Sequence, residues 1–302
     1  MNTQTTIAGV TFKNPVMTAS GTFGSGMEYE EFVDLNRLGA VVTKGVANVP
    51  WPGNPTPRVA EVYGGMLNAI GLQNPGIDVF MERDIPFLKK YDTKIIVNVC
   101  GKSVEDYVDV VERLGDEPAV SMLEINVSCP NVKEGGVAFG TDPKQAAAVT
   151  RAIKDSTNLP VIVKLSPNVT DIVTIAKAVE DAGADSLSLV NTLLGLAIDV
   201  RTRRPILGNI TGGFAGPAIK PVALRMVWQV AKAVNIPVSG LGGIMTGIDA
   251  IEFMMAGADT VQIGTANIID PNAMERIADE MDEWCDKNGV KDIQEIVGTL
   301  KA

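Results

Sequence analysis

The chain has 302 residues, 46% of them hydrophobic, and a formal net charge of −10. A protein this acidic lacks the basic surface that neutralises a nucleic-acid backbone or an anionic membrane, so we expect neither partner. The N-terminus has no signal-peptide pattern, and no apolar run approaches the roughly 18 residues of a membrane span. These features predict a soluble, cytoplasmic protein that acts on a small molecule.

Cysteine and histidine usage narrows the possible chemistry. Only Cys100, Cys129 and Cys285 are present, without paired or metal-finger spacing, and the chain contains no histidine. Neither a disulfide framework nor a four-thiolate iron–sulfur cluster can be built from three dispersed cysteines. Because the commonest general base and the commonest transition-metal ligand are both missing, we expect no metal site and a base of another type.

Eight short runs of apolar and β-branched residues predict β-strands, and helix-like stretches separate them. Their nearly continuous apolar character indicates strands buried on both faces, as in a parallel sheet covered by helices. Asp142-Pro143 and Asp270-Pro271 predict helix starts, with Asp as the cap and Pro in the first turn. We therefore predict a (β/α)8 TIM barrel, as a single domain over residues 1–302. The predicted strands are Pro15–Ser20, Ala40–Gly45, Lys94–Cys100, Met122–Ser128, Val161–Ser166, Ser186–Asn191, Ile236–Gly240 and Thr260–Thr265.

The longest connecting stretches follow the second, fourth and sixth predicted strands. Segments that follow barrel strands lie at the C-terminal mouth of the barrel, so we expect these insertions to surround the active site. Within the first of them, Val49–Pro57 is too rich in proline for a helix. It predicts a stiff wall or a small antiparallel excursion.

Polar residues and glycines stand at the ends of the predicted strands, which converge on one mouth. Each of them alone would more often be a turn residue. Lys44 and Lys164 lie inside strand runs, and burial of an ammonium group without a partner is costly. These two lysines therefore predict a bound anion or an electron-rich ring.

Glycine-rich turns end the seventh and eighth predicted strands, at Gly242-Gly243 and Gly264-Thr265. Loops at these positions are the usual phosphate site of a barrel, and glycine lets backbone N–H groups reach phosphate oxygens. Gly216 stands ahead of a further predicted helix. Together these glycines predict a phosphorylated cofactor such as FMN.

Four motifs resemble the class 1 dihydroorotate dehydrogenases, within a similarity that runs from about Asn14 to Asp270. The chain is more similar to the B type, which passes electrons to NAD through a partner subunit, than to the fumarate-using A type. Gly212–Gly216 differs from the Gly-Gly-Leu-Ser-Gly that the family pattern would give. The difference affects a side-chain hydroxyl contact and leaves the backbone loop as expected. The four motifs are Asn68–Asn74, Asn126–Asn131, Val163–Asn168 and Gly216–Pro221, and the B-type features are Gly53–Arg58, Cys129–Pro143 and Val190–Thr192.

The resemblance implies oxidation of (S)-dihydroorotate to orotate in de novo UMP synthesis. It implies a hydride transfer to N5 of FMN and a proton transfer to Cys129, with Lys164 beside flavin N1 and O2. Lys44 would lie between flavin and substrate. It also implies a partner subunit that carries FAD and a two-iron iron–sulfur cluster, in a heterotetramer of two catalytic and two partner chains.

Asparagine suits this substrate, because its planar head offers one donor and one acceptor to alternating amide N–H and C=O groups. The residues assigned to dihydroorotate are Lys44, Asn68, Ala69, Ile70, Gly71, Leu72, Asn126, Asn131, Asn191 and Thr192. The residues assigned to FMN are Ser20, Lys44, Gly45, Asn98, Asn126, Lys164, Val190, Gly216, Gly242, Gly243, Gly264 and Thr265.

Three other functions are compatible with parts of the sequence. A fumarate-linked A-type enzyme would need no partner. A dihydrouridine synthase acting on RNA would keep the flavin barrel but needs a basic surface, against which the charge of −10 argues. A non-catalytic barrel that binds a phosphorylated ligand leaves Cys129 and the asparagines unexplained, although fold alone does not give function.

Overall fold

The structure is a computed structural model that describes residues 2–127 and 139–301. Eight parallel strands close into a barrel, each paired with the strands before and after it, and the eighth pairs with the first. All eight predicted strands are present, which confirms the predicted (β/α)8 barrel. Barrel strands one to eight are Val16–Thr18, Ala40–Val42, Lys94–Val99, Val120–Asn126, Val161–Lys164, Ser186–Leu189, Val238–Leu241 and Thr260–Ile263.

The barrel interior is apolar in its lower half and polar in its upper half. A hairpin of Thr5–Ile7 and Val10–Phe12, which the sequence analysis did not predict, contributes Ile7 and Phe12 to the lower core. Side chains alternate along a strand, so residues two positions apart point the same way. The inward positions that follow Ile96, Met122 and Ile162 are therefore Asn98, Glu124 and Lys164. The lower core otherwise consists of Met17, Ala40, Val42, Ile96, Met122 and Ile162.

Helices cover the outside of the barrel, and their caps were predicted in part. Asp142 caps one helix as predicted, because its Oδ1 accepts from the backbone N–H groups of Lys144 and Gln145. The predicted cap at Asp270 is wrong: the helix begins at Ala273 after Asn272, although Asp270 Oδ1 accepts from the Asn272 backbone N–H while Oδ2 pairs with Arg276. The α-helices are Ile77–Val79, Ile85–Leu88, Val104–Leu114, Pro143–Lys154, Ile172–Asp181, Lys220–Ala231, Gly247–Met255, Thr265–Ile269 and Ala273–Asn288, with a π-helical turn at Phe80–Asp84 and 3-10 turns at Leu35–Arg37, Phe139–Thr141, Pro217–Ile219 and Ile293–Ile296.

No helix within residues 2–127 and 139–301 combines the length and apolar character that crossing a membrane requires. The longest of these helices, Ala273–Asn288, has 16 residues and a polar outer face with many charged side chains.

The insertions after barrel strands two and six meet in a small antiparallel sheet at the mouth. It contains Val59–Val62 and Gly65–Asn68 from the first insertion, and Leu193–Leu196 and Thr211–Ala215 from the second. The proline-rich segment Val49–Pro57 itself forms no strand and contributes only an antiparallel bridge between Trp51 and Asn74, whereas the antiparallel strands of this insertion follow it. Two further short strands, Ile198–Asp199 and Arg204–Pro205, pair beside the small sheet.

Candidate active site

A pocket of about 1260 Å³, a volume that includes the open solvent at its mouth, lies at the carboxyl ends of the barrel strands. Of the described residues assigned to cofactor or substrate, Ala69 alone does not line it. The Ala69 backbone instead pairs with the neighbouring loop, where its N–H donates to Arg58 and its C=O accepts from Asn54. Cys129 and Asn131 lie outside the described residues. The assigned residues that line the pocket are Ser20, Lys44, Gly45, Asn68, Ile70, Gly71, Leu72, Asn98, Asn126, Lys164, Val190, Asn191, Thr192, Gly216, Gly242, Gly243, Gly264 and Thr265.

The floor of this pocket is organised around Glu124, a residue that the sequence analysis missed. Its side chain is fully buried on barrel strand four. Oε1 accepts a hydrogen bond from Asn98 Nδ2 at 2.7 Å, while Oε2 accepts from Ser188 Oγ at 2.9 Å and from Gln262 Nε2 at 2.7 Å. Four barrel strands thus contribute to one polar cluster, which matches the rule that a buried carboxylate needs several partners.

Lys164 belongs to the same cluster. Only 3% of the residue is exposed, and its Nζ lies 3.6 Å from Oε1 of Glu124 and donates to Ser20 Oγ at 3.1 Å. The inference that its burial requires a bound anion was therefore incomplete, since the protein supplies a negative partner itself. Lys164 nevertheless lines the pocket.

A wall of carboxamides stands above the floor. Asn191 Nδ2 donates to Asn126 Oδ1 at 3.4 Å, and Asn191 Oδ1 accepts from the backbone N–H of Thr192 at 2.8 Å. Asn68 reaches the pocket from the small sheet, where its Nδ2 donates to the Gly213 carbonyl at 3.3 Å. The two insertions and the ends of two barrel strands therefore bring donors and acceptors to one cavity, as the sequence predicted.

The glycine turns that line the pocket pack closely against neighbouring backbone. Gly216, Gly242 and Gly243 have φ values of 114°, 123° and 80°, a region that side-chain-bearing residues rarely adopt. A Cβ at Gly216 would lie 2.6 Å from Gly65 Cα, and one at Gly243 would lie 2.7 Å from the Lys220 backbone nitrogen. These turns require glycine, and they leave the backbone accessible where helix Lys220–Ala231 begins.

Gln262 is the second polar residue that the sequence analysis missed. It lies inside barrel strand eight, is 1% exposed and lines the pocket beside Asn98. Gln262 stands two residues before Gly264, inside an apolar run of the sequence. A single polar residue in such a run is only weak evidence of a functional site. Lys164 and Glu124 both occupy inward-facing positions on neighbouring predicted strands. This could have indicated an ion pair, because a buried ammonium group without a partner is unfavourable.

A closed parallel barrel with a polar pocket at the carboxyl ends of its strands is the arrangement of (β/α)8-barrel enzymes. The family model described as dihydroorotate dehydrogenase matches residues 2–284. The chain therefore belongs to the dihydroorotate dehydrogenase family, whose members depend on a flavin.

Individual relatives agree with this assignment. The chain is 64% identical to the dihydroorotate dehydrogenase B (NAD(+)) catalytic subunit of Lachnoclostridium phytofermentans, with both chains fully covered. It is 61% identical to the protein of the same name from Geobacter sulfurreducens, over 98% of this chain and 97% of the relative. A solved dihydroorotate dehydrogenase from Eimeria tenella, in complex with ferulenol, superimposes with a TM-score of 0.82 at 24% identity, and the match covers 99% of this chain and 88% of that one. That last similarity supports the fold.

Proposed function

We propose that this chain oxidises dihydroorotate to orotate in pyrimidine biosynthesis, with FMN as its cofactor, and that a partner subunit passes the electrons to NAD. The observation that carries this proposal is the pocket itself, in a chain 64% identical over its whole length to a B-type catalytic subunit. A buried lysine, several carboxamides and two glycine turns with positive φ, Gly216 and Gly242-Gly243, converge there.

The described residues fit FMN in two respects. The glycine turns at Gly216 and Gly242-Gly243 leave backbone accessible for a phosphate, next to Gly264 and Thr265. At the floor, Lys164 offers a cation to the pyrimidine end of a flavin ring, and Asn98 and Gln262, which bind the same Glu124, each carry a buried carbonyl oxygen. FMN, when bound, supplies the acceptor for the hydride that leaves the substrate.

The carboxamide wall suits the substrate, which carries one carboxylate and alternating amide N–H and C=O groups. Asn68, Asn126, Asn191 and Thr192 would orient the ring, and the backbone around Gly71 would complete the pocket. Lys44 lines the same cavity, with its Nζ 3.8 Å from the position of a Cβ on Gly21. Its positive charge would attract the substrate carboxylate and hold it near the flavin.

The proton that leaves the substrate requires a base, and we assign this role to Cys129. The chain has no histidine, and its other two cysteines are buried, Cys100 at barrel strand three and Cys285 on the helix Ala273–Asn288. A cysteine base acts as the thiolate, so it must lie where that form is accessible. Barrel strand four ends at Asn126, which lines the pocket, and Cys129 follows three residues later in the sequence, which supports the assignment.

The assembly and compartment are further parts of the proposal. We assign the chain to a heterotetramer of two catalytic and two partner subunits, the latter carrying FAD and a two-iron cluster. Three dispersed cysteines cannot supply such a cluster on this chain. We place the enzyme in the cytoplasm, since the three cysteines show no paired spacing of the kind that disulfide frameworks of exported proteins use.

The first test is the cofactor. We expect the purified chain to be yellow, to release FMN and not FAD on denaturation, and to lose its visible absorbance when dihydroorotate is added without oxygen. The matched sample is the same protein with orotate, which cannot donate a hydride and should leave the colour unchanged. A colourless chain, or a flavin that dihydroorotate does not bleach, would contradict the proposed function and favour a non-catalytic barrel.

The second test is the reactivity of the three thiols. Burial, together with the carboxylates of Asp282 and Asp286, raises the pKa of Cys285 to about 11, and neither Cys285 nor Cys100 is exposed. At about pH 8, iodoacetamide should therefore alkylate one cysteine per native chain, Cys129, and all three after denaturation. Peptide mass spectrometry reads the sites directly. In Cys129→Ala the number of alkylated cysteines per native chain should fall to zero. Alkylation of Cys285 in the native wild type as fast as that of Cys129 would contradict the assignment.

A further inference from the structure

The hydrogen bonds around Glu124 have a fixed direction, because the side-chain NH2 groups of Asn98 and Gln262 both donate to its carboxylate. The proposed reaction does not yet explain this arrangement. We infer that Glu124 is a positioning residue, which fixes Lys164, Asn98 and Gln262 so that the pocket floor presents one cation and two acceptor oxygens to the pyrimidine end of the flavin. This inference rests on the proposed function, because it assumes that FMN occupies the pocket.

The orientation of the two amides follows from the carboxylate. Lys164 and the amide nitrogens can only donate, and an ionised carboxylate can only accept. Asn98 Nδ2 and Gln262 Nε2 both lie 2.7 Å from Glu124 oxygens. Each amide therefore turns its NH2 group towards Glu124, which leaves its carbonyl oxygen to point elsewhere.

These carbonyl oxygens are the second observation. Among the described residues, Asn98 Oδ1 and Gln262 Oε1 are buried and have no hydrogen-bond partner. Asn98 Oδ1 lies 3.1 Å from the position of a Cβ on Gly45, at the pocket wall, and both residues line the cavity. A buried acceptor without a partner is unfavourable, so the floor is built for a ligand that brings an N–H donor.

The flavin ring offers such a donor. Its pyrimidine end carries one imide N–H between two carbonyl groups. The two acceptor oxygens would share this donor, and the Lys164 cation would bind one of the carbonyl groups. Dihydroorotate also contains an imide, but Asn68 and Thr192 belong to the insertions at the rim, whereas Asn98, Glu124 and Gln262 lie within the barrel strands. The deeper position favours the cofactor.

Glu124 also determines how much positive charge the ring experiences. Its carboxylate lies 3.6 Å from Lys164 in a nearly solvent-free environment, where charges are weakly screened. The pair therefore offers the ring a weaker cation than an isolated lysine would. Since reduced flavin is anionic and oxidised flavin is neutral, Glu124 should keep the cofactor a stronger reductant.

The test is Glu124→Gln in the FMN-loaded chain, with Ser188→Ala as the matched control. The glutamine removes the charge, so the midpoint potential should rise, and the affinity for reduced relative to oxidised FMN should increase by about tenfold. Ser188→Ala removes one hydrogen bond to Glu124 but no charge, and it should leave the potential close to that of the wild type. Equal potentials in the two variants, or a lower one in Glu124→Gln, would overturn the inference.

A binding measurement tests the amide orientation separately. The glutamine introduced by Glu124→Gln would offer its own NH2 group, so one of the two neighbouring amides must reverse and present a donor to the ligand. The wild-type preference for FMN over N3-methyl FMN, measured by titration of the apoprotein, should therefore narrow by about tenfold. An unchanged preference would overturn the inference.

A second variant keeps the inference testable should Glu124→Gln fail to fold. Gln262→Met removes one acceptor without a change in charge, so it should narrow the same preference by about tenfold and leave the potential unchanged. If Gln262→Met preferred FMN over N3-methyl FMN as strongly as the wild type does, the inference would be overturned. If the wild-type chain bound no FMN, the proposed function itself would be refuted. This outcome distinguishes a failure of the proposed function from a failure of the inference about Glu124.

Discussion

Replacement of Cys129 by alanine should slow the reduction of bound flavin by dihydroorotate by about 10²–10⁴-fold, the usual contribution of a positioned base. FMN content and the affinity for orotate should stay close to wild type, because the binding contacts assigned here come from other residues. Stopped-flow absorbance under anaerobic conditions measures the reduction step directly, without the partner subunit.

Two further variants separate the loss of a base from a general disturbance. Cys129→Ser should regain part of the lost rate at high pH, because the serine hydroxyl is a poorer acid and ionises only there. Cys285→Ala removes a buried thiol on the helix Ala273–Asn288, and it should reduce stability without slowing flavin reduction. Flavin reduction at the wild-type rate in Cys129→Ala would eliminate this residue as the base.

The sequence predicted the barrel because its strands are buried on both faces and therefore appear as continuous apolar runs. The similar segments that begin at Ala182 and Ala256 each place a glycine of positive φ between the end of a helix and a buried strand. The hairpin formed by Thr5–Ile7 and Val10–Phe12 was missed, because three-residue strands give almost no periodic signal. The cap at Asp270 failed because the chain turns through Pro271 and Asn272 before the helix begins at Ala273, so the Asp270 carboxylate accepts from the Asn272 N–H in that turn and pairs with Arg276.

The site was predictable wherever a residue stood at the end of a strand, and less so inside one. Lys164 was found because an ammonium in an apolar run is conspicuous, yet its partner Glu124 lies on another strand and is close only after the barrel closes. Gln262 reaches the same carboxylate across the barrel. Contacts of this kind depend on the barrel geometry, because closure of the barrel brings inward-facing side chains from several strands into one cluster. The sequence around each residue does not show which residues of other strands it will contact.

The electron acceptor gives the other large expected effect. We expect the isolated chain to reduce an artificial dye with dihydroorotate at a substantial rate but to reduce NAD hardly at all. NAD needs a dinucleotide site, and the glycines of this chain form no Gly-x-Gly-x-x-Gly turn between a strand and a helix. They stand in barrel loops such as Gly242-Gly243 instead.

Co-expression with the partner subunit of a B-type relative should restore NAD reduction, because FAD and the iron–sulfur cluster would carry electrons from the pocket to a separate NAD site. The decisive measurement compares three assays on the same preparation of the isolated chain, with a dye, with fumarate and with NAD as the acceptor. Full-rate NAD reduction by that chain would contradict the need for a partner. Efficient turnover with fumarate would assign the A type, despite the 64% identity to a B-type catalytic subunit.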